Sequence, residues 1–102
     1  MIRRLVRMKF SEESIHLFRT LFEDTKSHIL AFEGCIELDL MADADEPLCL
    51  CTWSTWMNVD ALEKYRQSDL FRSTWSKTKP LFTEKASAWT FEIITSSSHL
   101  II

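Results

Sequence analysis

Three of the chain's four tryptophans and its only tyrosine fall in one run, WSTWMNVDALEKYRQSDLFRSTW, residues 53–75. Indole and phenol rings suit the gripping of flat ligands, because a ring pair contributes about 0.5–1.5 kcal/mol beyond simple burial. Tyr65 adds a hydroxyl that needs a hydrogen-bond partner when buried, and a substrate oxygen in a pocket is one such partner. Leu62 and Tyr65 are three apart and Phe71 and Trp75 four apart, so each pair shares a helix face. The same spacing also serves plain core packing.

The other reactive side chains show no such grouping. His16 falls opposite the apolar stripe of its helix, His28 at the edge of that stripe, and His99 in the C-terminal tail. Glu37 and Asp39 are two apart on a strand, without the setting that acid–base work needs. No catalytic residue is assigned. Cys35, Cys49 and Cys51 are an odd number, which disfavours a disulfide framework. Cys49-x-Cys51 lacks the wider gap of a zinc knuckle, so the cysteines read as small buried hydrophobes and no metal is expected.

Composition narrows the function classes. Gly34 is the single glycine, so neither a dinucleotide fingerprint nor a P-loop can be built. The net charge of −3 leaves no basic footprint for nucleic acid. No apolar stretch approaches the ~20 residues that cross a membrane. MIRRLVRMKF places arginines where a signal peptide has its apolar stretch, so a soluble cytoplasmic protein is expected. A chain of 102 residues makes a single domain, here with a core over about 3–94 and a tail over 95–102.

The elements that must position the aromatic run follow from periodicity. Residues 2–10 alternate, with Ile2, Arg4, Val6, Met8 and Phe10 on one face of a strand. Ser11 is placed to cap a helix that runs to about Phe32, with Ile15, Phe18, Phe22 and Ile29 on its stripe and Gly34 as its stop. CIELDLMA, 35–42, is a strand with Ile36, Leu38 and Leu40 on one face. DADEP is a turn, and LCLCTWSTW, 48–56, is a strand apolar on both faces. Asn58 caps a helix through about Gln67. Ser68 or Asp69 caps another that ends before Pro80, and ASAWTFEII, 86–94, is the last strand.

The order β-α-β-β-α-α-β is an α+β fold: a ferredoxin-like split βαβ antiparallel sheet with helices on one face. A sheet apolar on both faces needs a second cover, and the simplest is another copy. A homodimer joined through the sheet faces, with the helices outside, is therefore expected. Arg3, Arg7 and Lys9, with Glu37 and Asp39, are placed either to make polar contacts at its seam or to face water. The apolar end of the tail has cover to gain on a partner's sheet edge.

FEGC-IELDL, DADEP and LCLCTWSTWMNVDALEKYRQSDLF together resemble the antibiotic biosynthesis monooxygenase (ABM) domain family, small dimeric α+β barrels. Gly34, Trp56, Ala61, Leu62, Ser68 and Phe71 carry the likeness, which extends over about residues 3–94. The resemblance implies one of several activities. Some members oxygenate aromatic polyketides or quinols with no metal or flavin, and others break open haem. The haem-cleaving pattern needs Asn, Trp and His where this chain has Val6, Tyr65 and Trp75, so haem degradation is disfavoured. The implied function is a cofactor-independent monooxygenase acting on a small aromatic or quinol. The alternative is a non-catalytic dimeric barrel that binds an apolar ligand or partner. Val6, Met8, Phe22, Trp53, Tyr65 and Trp75 are the expected substrate-lining residues, between sheet and helices.

Overall fold

The computed structural model describes residues 1–96. Four strands, β1 (Ile2–Lys9), β2 (Cys35–Ala42), β3 (Cys49–Trp56) and β4 (Ser87–Glu92), form one antiparallel sheet in the order β2-β3-β1-β4. Helices α1 (Glu12–Leu30), α2 (Val59–Arg66) and α3 (Asp69–Thr78) lie against one face of it. The expected ferredoxin-like α+β architecture is the one observed. No helix among the described residues is long and apolar enough to cross a membrane. His99 and the apolar end of the tail lie outside the described residues.

Local chemistry explains the boundaries. Ser11 caps α1 through a reciprocal pair: its Oγ accepts from the Ser14 amide at 3.0 Å, and Ser14 Oγ accepts from the Ser11 amide at 2.9 Å. Glu12 and Glu13 add negative charge at the positive end of the helix dipole. Asn58 and Ser68 cap α2 and α3 by accepting from the amides of Ala61 and Phe71. Pro80 falls in the 3-10 turn Lys79–Leu81 that follows α3.

The first helix is shorter than its stripe predicts. It stops at Leu30 with Ala31 as its cap, and Phe32 leaves the helix to pack on Trp56 and Tyr65. Gly34 is therefore not the helix stop but the turn into β2, at φ +87°. Its carbonyl accepts from the Met57 amide at 2.8 Å, which ties this turn to the start of α2. The last strand is trimmed to Ser87–Glu92 at both ends.

The alternation of β2 is broken where the sequence reads as unbroken. A bulge between Cys35 and Glu37 turns Cys35 inward beside Trp56 and leaves Ile36 44% exposed. Leu38 and Leu40 stay on the helix side. Ile36 is thus removed from the face it was expected to share with them.

Two clusters fill the space under the helices. Met8, Phe10, Ile15, Phe18, Phe22 and Leu50 form one; Ile2, Ile29, Trp56 and Leu62 form the other. The opposite face of the sheet carries cross-strand rows. Asp39, Trp53, Leu5 and Trp89 form one row, and Glu37, Thr55, Arg3 and Phe91 the next. Trp89 is 44% and Phe91 49% exposed on this face. Three cations of this face pair within the chain: Arg3 with Glu37 at 4.0 Å, Arg7 with Asp43 at 3.9 Å and Lys9 with Glu46 at 3.9 Å. Partly exposed pairs at such distances contribute little stability.

Candidate functional site

A cavity of about 320 Å³ lies between the helices and the sheet. Ligand pockets begin at roughly this size. Its floor is the helix-side face of the sheet: Arg4, Val6 and Met8 of β1, Thr52, Ser54 and Trp56 of β3, with Leu38 and Ala88 at the flanks. One wall is α1, through Phe18, Leu21, Phe22, Thr25 and Ile29. The other wall comes from α2 (Leu62, Tyr65, Arg66) and α3 (Phe71, Thr74, Trp75, Thr78). The lining is mostly apolar, as the amphipathic faces of three helices over one sheet require.

The aromatic run 53–75 supplies much of that second wall. Trp56 and Tyr65 stack with ring centroids 4.9 Å apart, and Tyr65 meets Phe71 edge-on at 5.2 Å. Phe71 and Trp75 stack at 5.9 Å, and Trp75 meets Phe82 edge-on at 5.6 Å. Phe82 continues to Phe10, Phe18 and Phe22 on the far side. The rings form a continuous series of contacts that links the α2–α3 wall of the cavity to the α1 wall. Each contact restrains its neighbours, so the slot is rigid on its aromatic sides.

Five of the six expected lining residues meet here: Val6, Met8, Phe22, Tyr65 and Trp75. Trp53 does not. It shares its face with Leu5, to which it is paired in register, and the Arg3 guanidinium sits 5.3 Å from its ring centroid on the opposite side of the sheet. Trp56, three residues on, is the indole that turns inward, and its Nε1–H donates to Ser54 Oγ at 3.0 Å. The period of two forces this choice: a strand that sends residue 56 to the helices must send residue 53 away.

Several polar groups of the lining already have partners. Thr25 Oγ1 donates to the Leu21 carbonyl, Thr78 Oγ1 donates to the Thr74 carbonyl, and Ser54 accepts from Trp56. Tyr65 differs. None of the hydrogen bonds found among the described residues engages its hydroxyl; Ser68 bonds its backbone carbonyl. Burial pushes its pKa up from 10.0 to about 12, with a smaller push from the nearby Cys35 thiol. The phenol is therefore neutral at physiological pH and serves as a hydrogen-bond donor, not as a base.

Arg4 was not among the expected site residues. The signal was present in the alternation, which puts an arginine on the same strand face as Ile2, Val6, Met8 and Phe10. Its Nη1 donates to Thr90 Oγ1 at 2.6 Å across β1 and β4. Burial lowers its pKa, the positive charge of Arg66 lowers it further, and Glu63 partly offsets both. Among the described residues, no histidine, aspartate, glutamate or lysine lines the cavity. His16 and His28 are both exposed. Cys35, Cys49 and Cys51 are free, and burial raises all three thiols, so they are not thiolate nucleophiles at neutral pH. Among the described residues no cluster of three His, Cys, Asp or Glu side chains is placed to hold a metal ion.

Comparison with known proteins agrees with this arrangement. No curated protein matches the chain. A conserved protein from Methanosarcina mazei Go1 superposes with a TM-score of 0.84 at 19% identity, covering 88% of this chain and 89% of that one. Rv0793 from Mycobacterium tuberculosis superposes with a TM-score of 0.86 at 18% identity, covering 95% and 98%. A solved antibiotic biosynthesis monooxygenase gives a TM-score of 0.83 at 14% identity, covering 93% and 100%. At these identities the structural likeness speaks for the fold. The sequence model of one family, described as antibiotic biosynthesis monooxygenase, matches residues 1–75. By that match, the chain belongs to the antibiotic biosynthesis monooxygenase family.

Proposed function

We propose that the protein is a cofactor-independent monooxygenase that oxidises a small aromatic or quinol-type substrate in the cavity between sheet and helices. The observation that carries this reading is the row of stacked rings along an apolar slot with a neutral, unengaged phenol among them. In such chemistry the substrate supplies the electrons. Its anion passes one electron to dioxygen, and the radical pair recombines with formation of a C–O bond. Cleavage of the O–O bond then leaves one oxygen as a carbonyl and releases the other as water. A ring CH2 that becomes C=O gives up four electrons, which is what reduction of dioxygen to these two products takes. The chain's own part is to exclude water and to favour the substrate anion. Val6, Met8, Phe22 and Trp75 serve the first task. The Tyr65 hydroxyl serves the second, by donating to the developing oxyanion.

Oxygen uptake with a panel of hydroquinones and anthrones tests this, comparing the native chain with Tyr65→Phe. Turnover is expected from the native chain, reduced by about 10–100-fold without the hydroxyl, the usual worth of one oxyanion donor or somewhat less. Absence of uptake with every substrate would sink the enzyme reading. One observation favours the second reading, a non-catalytic barrel that binds an apolar ligand: the described residues of the lining offer no general base.

The same reading includes a homodimer, in keeping with a family whose domains commonly dimerise. The row Trp53–Leu5–Trp89, with Phe91 beside it, presents an apolar surface on the face the helices leave uncovered. A second copy of that face is self-complementary cover.

A further inference from the structure

The proposed oxygenation leaves one feature of the cavity unused, the guanidinium in its floor. Arg4, Val6 and Met8 occupy successive same-face positions of β1, and such positions lie about 6.6 Å apart. The floor therefore runs from a cation to two apolar side chains. The helical wall opposite carries Tyr65 and Trp75. Arg4 spends one N–H on Thr90, and a guanidinium has five. The carboxylate that acts on it, Glu63, is already held by Arg66 Nη1 at 3.0 Å. Arg66 also lines the cavity, so two like charges converge on it, and among the described residues only Arg66 has a carboxylate partner. Partly desolvated like charges gain more from an incoming anion than exposed ones do.

We propose that this cavity takes a flat one- or two-ring acid, with its ionised oxygen group on Arg4 and Arg66 and its ring above Val6, against Tyr65 and Trp75. A planar guanidinium matches a carboxylate or phenolate through paired N–H donors. The assignment rests on the cavity being the ligand site, as proposed above, and names the class of ligand. It also gives the missing base a physical substitute: a substrate that enters already ionised needs no side chain to remove its proton.

The test is calorimetric titration of the full chain with naphthoate, its neutral isostere naphthamide, and para-nitrophenol, whose colour reports its ionisation. Naphthoate is expected to bind about 10–100-fold more tightly than naphthamide, the range for a charge-assisted hydrogen bond. Arg4→Gln is expected to abolish that ratio by weakening naphthoate far more than naphthamide, and Arg4→Lys to restore part of it. Bound para-nitrophenol is expected to ionise at lower pH than the free molecule. A naphthoate preference without that shift supports the assignment and confines it to ring carboxylates. Equal binding of naphthoate and naphthamide by the native chain overturns the assignment but leaves the cavity as a ligand site. Binding of none of the three overturns both. A full preference retained in Arg4→Gln overturns the role of Arg4. If Arg4→Gln does not fold, Arg66→Gln, on the exposed side of α2, takes its place; it frees Glu63 and is expected to lower the ratio.

Discussion

Replacing Gly34 by alanine tests how the turn before β2 sets the helical wall of the cavity. Two costs combine there. A φ of +87° is one that L side chains rarely adopt, and holding alanine in the left-handed region costs about 1–2 kcal/mol. The added Cβ would also collide with Ala61 Cβ on α2, and such overpacking costs about 1–3 kcal/mol. Gly34→Ala should therefore destabilise the chain by about 2–5 kcal/mol, a large share of the 5–15 kcal/mol that small domains have. Ala61→Gly alone should cost about 1 kcal/mol through helix propensity. The double variant removes the collision but keeps the φ strain. Its loss should then be about 2–3 kcal/mol, smaller than the sum of the singles by the size of the collision. Urea unfolding followed by tryptophan fluorescence measures all four chains. Additive losses in the double variant, or a Gly34→Ala chain within about 0.5 kcal/mol of native, would refute the close-approach argument.

Two further outcomes are expected. Because the chain has a single tyrosine, the ultraviolet absorbance of tyrosinate follows Tyr65 alone; its midpoint should lie near 12 in the folded chain and near 10.0 in denaturant, and a folded midpoint near the denatured one would contradict the burial described. Ionising the buried phenol costs the native state about 2–3 kcal/mol that the unfolded chain does not bear, so stability is at its full value below the unfolded pKa and is lost as the pH rises through the folded one, and unfolding measured at stepped alkaline pH should show that fall. Trp89→Glu places a charge at the β4 end of the uncovered apolar row, and sedimentation at micromolar concentration should show native dimers and variant monomers; a native chain that sediments as a stable monomer would remove the pairing from the proposal.

Much of the fold could be read from alternation, because period-two and period-3.6 patterns are enforced by burial on one side of each element. The stripe Ile15, Phe18, Phe22, Ile29 is all buried, and the caps Ser11 and Asn58 are where their side chains predict. The misses have particular causes. CIELDL alternates without a flaw, yet the bulge at Ile36 is imposed by the pairing of Cys35 with Trp56 and Glu37 with Thr55 in the folded sheet. Trp53 and Trp56 are three apart and so fall on opposite faces of β3, but which face meets the helices depends on register with β1, and no local pattern carries that. Arg4 shares its strand face with Val6 and Met8 in the alternation, but arginine on a strand ordinarily turns to water. Here the cavity opens beneath it, and the space between three helices and a sheet is a property of their packing.

The sheet is a single layer of backbone, and its residues alternate between two duties. Arg4, Val6 and Met8 border the cavity; Arg3, Leu5 and Arg7, interleaved with them, belong to the far side. Selection can therefore retune what the chain accommodates by changing every second codon of one strand while what it displays outward stays untouched. A sequence built on this frame is free to change what it accommodates while keeping its outward face.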